Sequence, residues 1–156
     1  IIAGKGNDII IGGADNDKIY GGADNDTIDY STFTDHGISV DLTNTDAQTI
    51  NAEYGDDTIK EVENIIGSGL SDTIIGDGEK NILEGRGDND NLSGGAGADT
   101  LKGGLGNDTL KGGLGNDNLQ GGGGFDTIDY ADQSADITAN FVQGKVDISN
   151  GESDTI

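Results

Sequence analysis

The run from Gly94 to Asp129 reads Gly94-Gly95-Ala96-Gly97-Ala98-Asp99-Thr100-Leu101-Lys102, Gly103-Gly104-Leu105-Gly106-Asn107-Asp108-Thr109-Leu110-Lys111, Gly112-Gly113-Leu114-Gly115-Asn116-Asp117-Asn118-Leu119-Gln120 and Gly121-Gly122-Gly123-Gly124-Phe125-Asp126-Thr127-Ile128-Asp129. The period is nine residues and it does not slip. Asp stands sixth in every unit (Asp99, Asp108, Asp117, Asp126), and one large aliphatic stands eighth (Leu101, Leu110, Leu119, Ile128). One such unit in a glycine-rich chain would say little, but four in phase specify a repeat architecture.

The first six residues of a unit hold no core former and several glycines, so they read as a turn that uses backbone conformations closed to other residues. The last three alternate, the eighth pointing one way and its neighbours the other, as a short strand requires. So short a strand is stable only when stacked on copies of itself with its aliphatics in line. These features predict an all-β chain folded as a parallel β-roll. With two strands and two turns per coil, residues eighteen apart stack on one edge, placing Asp99 over Asp117 and Asp108 over Asp126. Stacked carboxylates repel unless a cation separates them. Oxygen-only ligands and the absence of Cys favour a hard ion, calcium over zinc.

Composition agrees and excludes several classes. The 156-residue chain has 30 acidic against 8 basic residues, a formal charge of −22 that opposes binding to nucleic acid or anionic membranes. Low hydrophobic content (31%) with such charge ordinarily means disorder, so the strict repeat implies conditional order. Zero Cys excludes disulfides and thiolate metal sites. No transmembrane span or signal peptide is recognisable. The chain opens inside a repeat and has no Met, which reads as a window of a longer protein.

Residues 1–29 form a first nonapeptide block. Its turns end in Asp8, Asp17 and Asp26, and its inward residues are Ile10, Ile19 and Ile28. Asp15 and Asp24 replace the fourth-position glycine; Asp tolerates left-handed backbone, so these turns either simply survive or gain a ligand. Residues 30–66 break the phase as a spacer packed on the roll or extending it. Ile38–Leu42 alternates like a strand, Asn44–Gly55 is polar and loop-like, and Ile59, Val62 and Ile65 suit short strands or one amphipathic helical turn, strands being favoured. Residues 67–129 form a second block whose opening turns are degenerate: Leu70 and Glu79 stand fourth, and Asn81 replaces the sixth-position Asp. Arg86 and Asp88 alter the next turn, which ends in Asp90. Residues 130–156 are a second, truncated spacer.

A longer repeat overlies the short one. Asp26-Thr27-Ile28-Asp29-Tyr30 recurs as Asp126-Thr127-Ile128-Asp129-Tyr130, and Asp57-Thr58-Ile59 resembles Asp154-Thr155-Ile156. Tyr30 and Tyr130 are expected to cap the open end of the core after each block. His36 reads as a solvated loop residue, and the Asp56-Asp57 pair has nothing fixing a catalytic separation. None of the glycine-rich turns matches a phosphate loop.

These units resemble the RTX (repeats-in-toxin, hemolysin-type calcium-binding) family. The resemblance implies a right-handed parallel β-roll with short inserted spacer strands and calcium held between turns on one edge. It also implies export through a type I secretion channel to the outside or surface of a Gram-negative bacterium. Carried over residue by residue, it makes ligands of the Asp8, Asp17, Asp26, Asp72, Asp90, Asp99, Asp108, Asp117 and Asp126 carboxylates. Turn carbonyls at Gly95, Gly97, Gly104, Gly106, Gly113, Gly115, Gly122 and Gly124 join them. Pairing sixth positions eighteen apart gives about six calcium ions. No catalytic residue is expected in this segment, and any catalytic domain would lie outside it. The expected function is a calcium-responsive folding and export module, or else a structural array of a surface adhesin or surface layer, with neighbouring repeats, the cell surface or further copies as its contacts.

Overall fold

The structure is a computed structural model that describes residues 1–51, 54–131, 137–140, 145–148 and 153–156. All regular structure among them is β. The first block contributes β1 (Ile2–Lys5), β2 (Ile9–Ile10), β3 (Lys18–Ala23) and β4 (Thr27–Asp29). The spacer contributes β5 (Ser39–Asp41), β6 (Ala47–Asn51), β7 (Gly55–Lys60) and β8 (Asn64–Ile66). The second block contributes β9 (Thr73–Ile75), β10 (Ile82–Gly87), β11 (Asn91–Ala96), β12 (Thr100–Leu105), β13 (Thr109–Leu114), β14 (Asn118–Gly123) and β15 (Thr127–Ile128). Beyond it lie β16 (Ile137–Asn140), β17 (Lys145–Ile148) and β18 (Ser153–Thr155).

The chain winds as a β-solenoid of about seven coils, consistent with the β-roll expected of stacked nonapeptides. One face is a sheet of order β16-β17-β18-β14-β12-β10-β8-β4-β2. The opposite face consists of two sheets, β15-β13-β11-β9-β5 and β1-β3-β7-β6. Within the second block the register is eighteen residues per coil: Leu83 pairs with Leu101 and Leu101 with Leu119 on the first face, Leu92 with Leu110 on the second. Eighth-position residues therefore line up inside. Ile10, Ile19, Ile28, Ile74, Leu83, Leu92, Leu101, Leu110 and Leu119 all join one buried core.

The strands are longer than the repeat pattern suggests. From β10 to β14 each runs on through the first three residues of the next unit, so Gly104 still pairs with Gly122 and Leu105 with Gly123. The pairing survives because each coil bends at the same place as its neighbour, which preserves the backbone hydrogen bonds through the corner.

The spacer joins this core. Ile38, Val40, Leu42, Ile50, Ile59, Val62 and Ile65 are buried with the repeat aliphatics. Strand β4 pairs directly with β8, Ile28 opposite Ile65, and β3 with β7, Ile19 opposite Ile59. The segment Ile59–Ile66 thus forms strands rather than a helical turn. Asn44–Gly55 is not all loop: β6 runs antiparallel to β7, burying Gln48 and Ile50. Its polar composition hides that alternation. Tyr30 does not cap an open end. It is 1% exposed, packs edge-on against Phe33 (5.2 Å), and Phe33 in turn stacks on Tyr54 (3.7 Å), because the spacer carries the core past it. Tyr130 is partly buried against the same core.

Candidate metal centre

Turns of the intact type share one backbone solution. At the second and fourth positions φ is positive, as at Gly104 (+120°) and Gly106 (+133°). Asp15 (72°) and Asp24 (83°) adopt it too, and Asp24 Oδ2 accepts the Gly6 N–H at 3.1 Å. The Gly85 turn holds Arg86 at 85° and Asp88 at 64° in the same way. This geometry returns the sixth residue inward, beneath its own turn.

The carboxylates of Asp26, Asp90, Asp99, Asp108, Asp117 and Asp126 then hydrogen-bond to the coil before. Asp8 N–H donates to Asp26 Oδ1 (2.9 Å), Asn81 N–H to Asp99 Oδ1 (2.8 Å) and Asp99 N–H to Asp117 Oδ1 (2.9 Å). On the other edge Asp72 donates to Asp90 (2.8 Å), Asp90 to Asp108 (2.8 Å) and Asp108 to Asp126 (3.1 Å). The spacers continue both rows. Asp57 Oδ1 accepts from Asp17 (2.9 Å), Glu63 Oε2 from Asp26 (2.8 Å) and Asp154 Oδ1 from Asp117 (2.8 Å). Sequence reasoning in steps of nine missed these three. The signal available was the triplet acid–polar–Ile in Asp57-Thr58-Ile59, Glu63-Asn64-Ile65 and Asp154-Thr155-Ile156, which repeats positions six to eight of a unit.

The second carboxylate oxygen is left over. Oδ2 of Asp8, Asp17, Asp26, Asp90, Asp99 and Asp108 is buried and has no hydrogen-bond partner. A buried unpaired acceptor of this kind is costly unless something positive meets it. Carbonyl oxygens converge on the same places. A methyl group added to Gly103 would run into Asp108 Oδ2 and come 2.6 Å from the Gly121 carbonyl oxygen; at Gly94 it would meet Asp99 Oδ2 and the Gly112 oxygen at 2.6 Å. First-position carbonyls thus lie beside these carboxylates. The oxygens of Gly95, Gly97, Gly104 and Gly106 face Gly113, Gly115, Gly122 and Gly124 one coil on.

Burial raises the Asp90 carboxyl to about 7, with the Asp72, Asp108 and Asp88 charges adding to the rise against the Asp72 N–H. Asp99 is raised to about 6, again chiefly by burial, the Asn81 N–H opposing and Asp117 and Asp77 adding. Burial likewise raises Asp57, Glu63, Asp72 and Asp108. Among the described residues no three His, Cys, Asp or Glu side chains gather into one metal cluster. Carboxylate and carbonyl oxygens, with no sulfur or imidazole, fit a hard cation taking six to eight oxygens.

The two degenerate turns are built differently. Neither Leu70 nor Glu79 takes positive φ among the described backbone outliers. In the Gly67 turn, Asp72 Oδ2 accepts the Ser68 N–H (2.7 Å), while Oδ1 accepts the Ser68 hydroxyl (2.7 Å) and the Ile38 N–H (2.8 Å). In the Gly76 turn, Asn81 Oδ1 accepts the Asp77 N–H (2.8 Å) and Nδ2 donates to the Glu63 carbonyl (2.8 Å). Protein donors there take the part that a cation would play elsewhere.

The model of the family described as RTX calcium-binding nonapeptide repeat (4 copies) matches residues 1–35, 66–101 and 93–128, more than half of the chain. The chain belongs to that family. RTX repeats are structural calcium-binding segments, and the matched ranges cover every sixth-position Asp of the nonapeptides. No curated protein matches the chain. Among the described residues no helix is long and apolar enough to cross a membrane.

Proposed function

We propose that this RTX segment is a calcium-triggered folding module of a larger secreted protein, binding ions between stacked coils and assisting its own export through a type I channel. The observation that carries the reading is the row of buried, unpartnered Asp Oδ2 atoms, of which those of Asp26, Asp90, Asp99 and Asp108 face a carbonyl oxygen of the neighbouring coil. Asp8 with Asp26, Asp90 with Asp108, Asp99 with Asp117, and Asp108 with Asp126 would hold ions together with turn carbonyls. Calcium bound there supplies the positive charge that lets these carboxylates stay ionised while buried. Extracellular calcium modules bind at about 10⁻⁴–10⁻³ M, so such a chain stays open where calcium is scarce and closes where it is plentiful. Folding outside the channel opposes backsliding. The site of action on this reading is the exterior or surface of a Gram-negative cell. Circular dichroism tests it: a cooperative gain of β signal is expected between chelator and millimolar calcium, with magnesium a poor substitute. A full β signal in excess chelator would overturn the trigger.

A second reading, a structural array of an adhesin or surface layer, draws on the longer repeat. Asp117 N–H donates to Asp154 as Asp17 N–H donates to Asp57, so each block meets its spacer alike. Electron microscopy of the parent protein separates the two: a long rod of many blocks supports the array, a short tail on a globular domain the export module.

A further inference from the structure

Asp26 is the last sixth-position residue of the first block, and no nonapeptide turn stands one coil beyond it. The spacer segment Glu61-Val62-Glu63 occupies that place. Asn64 pairs with Thr27 in the β4–β8 register, which sets Glu63 level with Asp26. The Asn64 N–H donates to the Asp26 carbonyl at 3.0 Å, as the Thr109 N–H does to Asp90 at 2.8 Å between true repeats. Glu63 Oε2 accepts the Asp26 N–H, the bond made elsewhere by an Asp one coil on. Glu61, at φ 55°, turns its carbonyl toward the first block, where it accepts the Gly22 N–H at 3.1 Å. A methyl group on Gly21 would strike that carbonyl oxygen and come 2.7 Å from Asp26 Oδ2. This is the arrangement around Gly103 rebuilt from residues outside the repeat. Asp26 itself is 0% exposed, and its Oδ2, aimed at this point, has no hydrogen-bond partner.

We propose that the Glu63 carboxylate and the Glu61 carbonyl complete a calcium site on Asp26, a site made half by the last repeat turn and half by the spacer. It lies partly outside the residues that match the repeat family, since Glu61 and Glu63 fall between the matched ranges. The donors are all oxygen: two carboxylates and a backbone carbonyl, with water free to complete the shell of a hard cation. On the far side of Glu63, the Asn81 amide donates to the Glu63 carbonyl, so the following coil is joined by a neutral hydrogen bond. The site therefore ends the first block's row of cations at the spacer. The proposal rests on the calcium reading above.

Native mass spectrometry of the whole chain in calcium, with Glu63→Gln beside the wild type, tests it. Gln keeps an oxygen to accept the Asp26 N–H but removes the charge, and one ion fewer is expected. Asp35→Asn, an exposed spacer carboxylate, is the control and should leave the count unchanged. An equal count in Glu63→Gln and wild type would overturn the proposal. Should Glu63→Gln fail to fold, anomalous scattering from wild-type crystals grown in calcium decides alone. Density between Asp26 Oδ2, the Glu61 oxygen and Glu63 is expected. Density between Asp99 and Asp117 with none at Asp26 overturns this site and leaves the calcium reading standing, whereas no density at either overturns both.

Discussion

The Asp90 amide hydrogen donates to Oδ1 of Asp108, 2.8 Å away and one coil further on, while Oδ2 of the same carboxylate lies buried without a partner. One oxygen thus serves the fold and the other is free for an ion. The two roles can be separated by mutation. Asp108→Asn retains an oxygen for the Asp90 N–H and puts a donor in place of Oδ2. It should lower calcium stoichiometry while leaving the chelated chain no less stable. Asp108→Ala removes both, stranding a buried N–H at a cost of about 1–3 kcal/mol and disturbing the turns on either side. Titration calorimetry and thermal melts of the pair check this; equal stoichiometry in all three proteins would refute it.

Asn81 offers the reverse experiment. Its Nδ2 now donates to the Glu63 carbonyl, and Asn81→Asp would replace that donor with a buried carboxylate oxygen. The variant should bind one more calcium ion, and its melting temperature in chelator should fall by several degrees, as loss of a buried hydrogen bond predicts. An unchanged melt in chelator would mean that the amide does not stand in for a cation.

Proton linkage gives a pH signature. Asp90 and Asp99 are raised to about 7 and about 6, so between those values and the ordinary carboxylate range near 3.8 the folded chain holds more protons than the unfolded one. Stability without metal should therefore be greatest in acid and be lost as pH rises through about 6 to 7. Calcium reverses the sense, because it needs the ionised form and displaces the proton. In chelator, melting temperature should rise from pH 8 to pH 5, whereas apparent calcium affinity should drop over the same interval. A chelated melt that is flat across that range would count against buried, ionisable carboxylates.

Gly115, in an intact turn, should differ sharply from Gly78, in a degenerate one. A methyl group on Gly115, at φ +123°, would collide with the Gly97 carbonyl oxygen of the adjacent coil, whereas one on Gly78 meets nothing within 4 Å. Gly115→Ala combines a left-handed conformation, worth about 1–3 kcal/mol, with that collision. Gly78→Ala should change stability by less than about 1 kcal/mol. Urea melts in saturating calcium compare them directly; similar midpoints would show that the coils do not approach each other as closely as described.

How far the sequence foretells this molecule depends on whether its period holds. Where nine-residue spacing is kept, position alone places Leu101 in the core and Asp99 beneath Asp117. The spacer abandons that arithmetic. Lys18 pairs with Thr58 and Thr27 with Asn64, separations that are not multiples of nine, so Asp57 and Glu63 enter the acidic rows invisibly to a phase-based reading. Strand β6 escaped notice because its inward residues, Gln48 and Ile50, alternate with Ala47, Thr49 and Asn51 in a mostly polar run. The closed turn at Asp72 depends on Ser68, whose hydroxyl and amide both reach the carboxylate, and a serine among glycines gives no warning of that. The approach of first-position carbonyls to the Asp carboxylates was hidden for another reason: it depends on which way a peptide faces, which residue identity does not record.

The uneven faces of the solenoid set the course of its axis. At the first spacer, β4 and β8 are direct neighbours on one face, while β7, β6 and β5 stand between β3 and β9 on the other. At about 4.8 Å per strand, the two surplus strands lengthen that side by roughly 10 Å. A wedge of this size tilts one block against the next. At the second spacer, β18, β17 and β16 extend the opposite face, from β14. Seven nonapeptides separate the two spacers, and an odd number of half-coils exchanges the faces. Successive wedges therefore tilt in opposite senses and cancel in pairs. A chain of such blocks would advance as a zigzag, neither curling into a ring nor running dead straight, and under tension it could lengthen by flattening its corners before any coil came apart.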